Sequence, residues 1–161
     1  MKKLKDIDWD KWEPEQRATL LFVIKDGNVL LIHKKRGLGA GKINAPGGRI
    51  EPGETAMEGA IREVEEELCV TPQDVSHCGE MSFQFADGFS LHCSVFRAED
   101  FVGTPQETDE AIPVWAPVDD VPYEKMWQDD KYWMPLMFSK TEFKGFFLFD
   151  DDKLLDYLIE S

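Results

Sequence analysis

The first sixteen residues, "MKKLKDIDWDKWEPEQ", place a charge beside almost every apolar side chain, and then the pattern changes. Residues 1–17 are read as an N-terminal extension, with Trp9 and Trp12 able to anchor it, ahead of one domain over 18–161. "ATLLFVI" from Ala18 and "NVLLIHKK" are strand-like on either side of Asp26-Gly27, a hairpin turn signal. "RGLGAGKINAPGG" holds too many glycines, and a proline, for a helix to run through it. After a turn at "RIEPGE", Thr55 is a good helix N-cap, with Glu58 three residues on completing a capping box. The spacing predicts a helix to about Leu68, with Met57, Ile61, Val64 and Leu68 as its core-facing stripe.

Further on, "EMSFQFA" and "FSLHCSVF" alternate apolar and polar positions around Asp87-Gly88, which predicts a second hairpin. "EAIPVWAP" is a short strand whose proline suits an edge or a bulge. "DKYWMPLMFSK" reads as a second helix limited or kinked by Pro135. "FKGFFLF" is a strand, whereas periodicity alone leaves "LLDYLIE" as strand or helix. Many strands with two separated helices and no internal repeat predict an α+β fold, one mixed sheet with helices packed on it.

Composition narrows the class. The 161 residues are enough for one domain with a sizeable core, and 42% are apolar, which argues for a folded chain. Lys plus Arg number 18 against 32 Asp plus Glu, a net charge of -14. Such a surface is expected to repel nucleic-acid polymers and anionic membranes. Cys69, Cys78 and Cys93 have no metal-like spacing and read as free thiols. With no signal-peptide pattern and no run long enough to span a bilayer, the expectation is a cytoplasmic, monomeric protein.

Against that background "REVEEELC", Arg62 to Cys69, is unexpected, because it crowds four glutamates onto two helical turns where they repel one another. At about 100° per residue, Glu66 and Glu67 fall on either side of Glu63 on one face, while Glu58 and Glu65 point elsewhere. Gly59 lies one turn before Glu63 and, at a cost of roughly 1 kcal/mol relative to Ala, would let a bulky group approach. Convergent carboxylates of this kind suit Mg²⁺, a hard ion held by a few carboxylates plus substrate phosphates. The basic cluster Lys34, Lys35, Arg36 and Lys42 could meet such phosphates, and alternation along the strand favours Lys34.

"GGRIEPGETAMEGAIREVEEELCV" matches the pattern G-x5-E-x7-R-E-U-x-E-E-x-G-U, with U apolar, at every fixed position but one. Cys69 stands where a glycine is expected. Gly48, Glu54, Arg62, Glu63, Val64, Glu66, Glu67 and Val70 all fall in place, and on these the chain resembles the Nudix hydrolases. That resemblance implies an α/β/α sandwich and a Mg²⁺-dependent pyrophosphohydrolase, with Mn²⁺ as a substitute. It also implies that Glu63, Glu66 and Glu67 hold the metal with help from the Gly47 carbonyl, and that Arg62 pairs with Glu54.

"KKRGLGAGKINAPGG", "GTPQETDE", "MWQDDKYWMPL" and "FKGFFLFDDDKLLDYLIE" resemble the branch of the family that clears oxidised purine nucleoside triphosphates such as 8-oxo-dGTP from the nucleotide pool. The last segment favours a C-terminal strand. By position, the resemblance implies that Asn44, Asp129 and Asp130 hydrogen-bond the base, that Trp127 stacks on it, and that Thr19, Phe83 and Leu91 line the pocket. Glu110 becomes a further metal ligand or the base, a role Glu66 could also take. Leu38, Ala45-Pro46 and Leu91 depart from that branch around the base. Other substrates remain as alternatives: unmodified dGTP, a methylated purine triphosphate or an RNA 5′ end. So does a non-catalytic nucleotide-binding module.

Overall fold

The computed structural model describes residues 3–161, so the first two residues of the expected extension lie outside the described residues. Its strands are β1 (Gln16–Lys25), β2 (Asn28–Lys34), β3 (Ile43–Asn44), β4 (Gly47–Arg49), β5 (Thr71–Phe85), β6 (Ser90–Val102), β7 (Ala111–Pro117), β8 (Phe143–Asp150) and β9 (Lys153–Glu160). They form one mixed sheet in the order β3-β2-β1-β6-β5-β8-β9, with β4 beside β1 and β7 beside β2. Two helices complete the fold, α1 (Ala56–Leu68) and α2 (Asp130–Phe138).

Alternation along the central strands sends neighbouring residues to opposite faces. Leu21 and Val23 of β1 and Leu30 and Ile32 of β2 bury with Ala60, Val64 and Leu68 of α1. Phe22, Val29 and Leu31 bury with Trp133, Met134 and Met137 of α2. The two helices therefore cover opposite faces, and strands buried on both sides need the unbroken apolar runs seen in "LLFV" and "VLLI".

Both predicted hairpins form, β1 with β2 at Lys25↔Asn28 and β5 with β6 at Gln84↔Ser90. Strand β1 also runs parallel to β6, from Gln16↔Leu91 to Val23↔Ala98, and β5 runs parallel to β8. Strand β7, with Pro113, pairs only with β2, as an edge strand should.

Three local expectations change, and one that periodicity left open resolves as the resemblance implied. Met57 is exposed rather than part of the core stripe, because the buried stretch of α1 begins at Gly59 and Ala60. Strands β5 and β6 extend well past their alternating halves, through polar residues paired from Thr71↔Val102 to His77↔Phe96. The glycine-rich loop contains two short strands, β3 and β4. The "LLDYLIE" segment is a strand, antiparallel to β8.

Candidate active site

The start of α1 is fixed as its sequence dictates. Thr55 Oγ1 accepts from Glu58 N–H at 3.1 Å, and the Glu58 carboxylate accepts from Thr55 N–H at 2.9 Å. One turn on, Arg62 donates to both Glu54 oxygens, at 2.7 and 3.0 Å, and to the Arg49 carbonyl at 3.0 Å. This fork ties the loop before α1 to the helix. It also holds the Glu54 carboxyl down at about 2, through the hydrogen bond from Arg62 first and the Glu51 N–H second. Gly59 serves that contact. A Cβ there would stand 2.8 Å from Glu54 Oε1, so the missing side chain makes room for Glu54 rather than for a ligand.

The helical phase separates the glutamates further than the pattern foresaw. Glu67 is 3% exposed and lies at the rim of the core. One of its oxygens accepts from Gly47 N–H at 2.9 Å, and burial pushes its carboxyl up to about 8. Glu63 accepts from Arg62 at 2.9 Å and is also raised, chiefly by burial. Its carboxylate lies so close to β4 that a Cβ on Gly48 would meet it at 2.6 Å. Glu66 points outward and accepts from Arg62 at 3.2 Å.

Carboxylate oxygens of Glu63, Glu67 and Glu110 come within 4.8 Å of one another, a set that could hold a metal ion. Glu110 reaches them because its carbonyl accepts from Lys35 N–H at 3.0 Å, just where β7 enters the sheet beside β2. The expected Glu66 is not in this set, while Gly47 contributes its N–H to Glu67. Three carboxylates at this separation, one of them pushed up by burial, fit a divalent cation that would offset both their repulsion and that desolvation.

The basic cluster divides as well. Lys35 binds Glu107 at 2.5 Å, Arg36 binds Glu110 at 3.3 Å, and Lys42 binds Asp152 at 3.5 Å. Among the described residues Lys34 has no carboxylate at salt-bridge distance, and it lines the neighbouring cavity.

That cavity, of about 370 Å³, opens beside the carboxylates and includes Glu67 in its wall. Thr19, Asn44, Phe83 and Leu91 line it from the sheet, and Trp127, Asp129 and Asp130 from the start of α2. Every pocket residue expected from the sequence is thus brought to one cavity. The Asn44 amide oxygen accepts from Ala45 N–H at 2.8 Å, which leaves its NH₂ group for a ligand. Asp129 accepts from the Trp133 indole at 2.8 Å. Among the described residues, Asp130 Oδ2 and Thr19 Oγ1 are buried with no hydrogen-bond partner. Burial raises both aspartates, and the neighbouring Asp129 charge pushes Asp130 further.

Sequence reasoning missed Met81 and Phe85, which share the wall with Phe83. Their two-residue spacing in "MSFQF" places all three on one face of β5, and that alternation was the available signal. Buried Arg97 was also missed. It donates to the Met137 and Phe138 carbonyls at 2.7 and 3.1 Å and so closes the end of α2.

Comparison with known proteins agrees with this geometry. The NUDIX domain family matches residues 14–137. The chain is 42% identical over 145 residues to an oxidized purine nucleoside triphosphate hydrolase of Danio rerio, covering 89% of this chain and 93% of that protein. It is 40% identical over the same span to the Mus musculus protein of that description. Among solved structures, the mutator MutT protein of Bacillus halodurans superposes with a TM-score of 0.81 at 29% identity, covering 90% of this chain and 97% of that one. A site built from this motif, on this sheet, with relatives matched over most of their length, assigns the chain to the Nudix hydrolase family.

Proposed function

We propose that the protein hydrolyses oxidised purine nucleoside triphosphates, such as 8-oxo-dGTP, to the monophosphate and pyrophosphate, and so clears them from the nucleotide pool. The observation that carries this reading is that one cavity wall holds both Glu67 and the buried pair Asp129 and Asp130. A triphosphate at the carboxylates therefore has its base beside the aspartates.

Glu63, Glu67 and Glu110 are assigned to hold Mg²⁺, with Mn²⁺ as a substitute. A bound divalent ion supplies charge neutralisation for the phosphate oxygens. Lys34 adds a second positive charge there. Arg62 and Glu54 keep the loop and helix in register. Glu66 and Glu110 are the two candidates to take the proton of the attacking water, since each keeps its carboxylate partly exposed.

At the base, Asp130 stays protonated and donates, Asp129 accepts, and the Asn44 amide donates beside them. Such a set reads the polar edge of a purine, while Trp127, Phe83, Leu91 and Thr19 bound the ring. The test is a panel of oxidised, methylated and unmodified nucleoside triphosphates with Mg²⁺, with products identified. The expected result is the highest kcat/KM for an oxidised purine and release of pyrophosphate. A preference for an unmodified, methylated or RNA-linked substrate would overturn the base assignment and leave the phosphate chemistry standing. Nucleotide binding without turnover in either metal would overturn both.

A further inference from the structure

The segment ahead of β1 is tied to the far side of the cavity wall. Leu4 N–H donates to Asp156 of β9 at 2.9 Å. The Trp9 ring lies 5.0 Å from that of Phe146 on β8 and 5.3 Å from that of Trp12. Trp12 Nε1 donates to the Gln84 amide oxygen at 2.9 Å. The amide nitrogen of Gln84 in turn donates to the carbonyls of Phe85 and Phe89, at 3.0 and 3.2 Å, across the β5–β6 turn. Glu15 N–H adds a bond to Ser90 Oγ at 2.9 Å.

Gln84 and Phe85 are adjacent on one strand and face opposite ways. Gln84 looks toward the N-terminal segment, and Phe85 lines the cavity. The Phe85 ring meets Trp127 edge-on at 6.2 Å and stacks on Phe149 at 5.5 Å. The orientation of the Gln84 amide is set by its donor. With the indole N–H in place, a flipped amide would turn its NH₂ toward another donor and its oxygen toward two carbonyls. Without the indole, that preference is lost on one side and the turn is held less firmly. Trp9 and Trp12 both precede the residues matched by the family model.

We propose that Trp12 and Gln84 are positioning residues for the base cavity: the indole N–H fixes the Gln84 amide, and that amide fixes the turn that sets Phe85 against Trp127. The inference rests on the reading of this cavity as the base site. Neither residue is part of the cavity wall, so each acts through Phe85.

The experiment compares steady-state kinetics of the full-length wild type, Trp12→Phe, Gln84→Glu and the double variant on a purine and a pyrimidine nucleoside triphosphate. Trp12→Phe keeps an aromatic ring against Trp9 and removes the donor. Gln84→Glu keeps the acceptor and removes both donors to the turn. In each, KM for the purine substrate is expected to rise roughly three- to tenfold, the scale of one lost hydrogen bond, with kcat changed less than about twofold. The purine preference narrows, and the double variant is no worse than the more impaired single one. An unchanged KM and base preference with only a lowered Tm would reduce the contact to a structural clip and overturn the proposal. Additive KM effects would overturn the link between the two residues, and should Trp12→Phe fail to fold, Gln84→Glu alone decides by the same split between KM and kcat. A wild type that turns over pyrimidine but not purine triphosphates overturns the base-site reading itself, and this inference with it.

Discussion

Glu67 carries two burdens at one position. It is buried at the edge of the core, yet it belongs to the carboxylate set that could hold a metal. Burial raises its carboxyl to about 8, so the stability it contributes is present below the ordinary glutamate range and is lost as pH rises through 8. Glu67→Gln removes that penalty and the ionisable ligand together. Activity with Mg²⁺ is expected to fall at least about 100-fold, about 3 kcal/mol at the transition state. The Tm of the metal-free variant above pH 8 should equal or exceed that of the wild type. Retained Mg²⁺-dependent turnover would remove Glu67 from the metal site. The aspartates obey the same sign. Both are raised by burial, Asp129 to about 6 and Asp130 well above the ordinary range. Stability present near pH 4 is therefore lost as pH climbs through those values. Asp130→Asn should flatten the fall in denaturation free energy as pH rises above the ordinary aspartate range. An equal slope in the two proteins would show that Asp130 is not held protonated.

At the level of elements, α1 was the most legible part of the chain, because its capping box and its apolar phase point the same way. What phase alone missed was an asymmetry. Counting around the helix from buried Ala60, Glu67 falls on the core side of Glu63 and Glu66 on the water side, and the sheet makes that difference absolute. The end of α1 is less comfortable. Cys69 caps it in the left-handed region, φ 64° and ψ 27°, the conformation that the glycine of the motif would adopt without strain. Cys69→Gly is expected to stabilise the protein by about 0.5–1 kcal/mol, measured by urea denaturation, since the strain relieved exceeds the chain entropy lost. A destabilised variant would mean that the thiol makes up for its backbone. Strands were legible where apolar residues alternate, as in "MSFQF", and illegible where they are polar, as in Gln73 to His77, which pair only because β6 runs alongside. Glu110 could not be placed from pattern at all. It reaches the other carboxylates through the pairing of β7 with β2, some eighty residues apart, and only the family resemblance pointed to it.

Across the whole molecule, the charge of -14 has Lys34 as a local exception beside the cavity. An anionic group small enough to enter the cavity would meet that charge, whereas a long polyanion would meet the acidic rest of the surface. A long single-stranded RNA is expected to show no gel shift at ~150 mM salt, because counterion release needs many exposed cations on one face. A salt-sensitive shift under those conditions would return the RNA 5′ end to the substrate candidates. The mixed sheet also fixes what the cavity depends on. Its wall draws on β1, β5, β6 and the start of α2, and Phe149 of β8 supports it from behind. Residues from widely separated parts of the chain must meet before the cavity is complete. The N-terminal segment extends this dependence to its limit, because Leu4 and Trp9 dock on Asp156 and Phe146, near the other end of the chain. During synthesis on the ribosome, Trp9 must therefore wait without its Phe146 partner until β8 has left the exit tunnel.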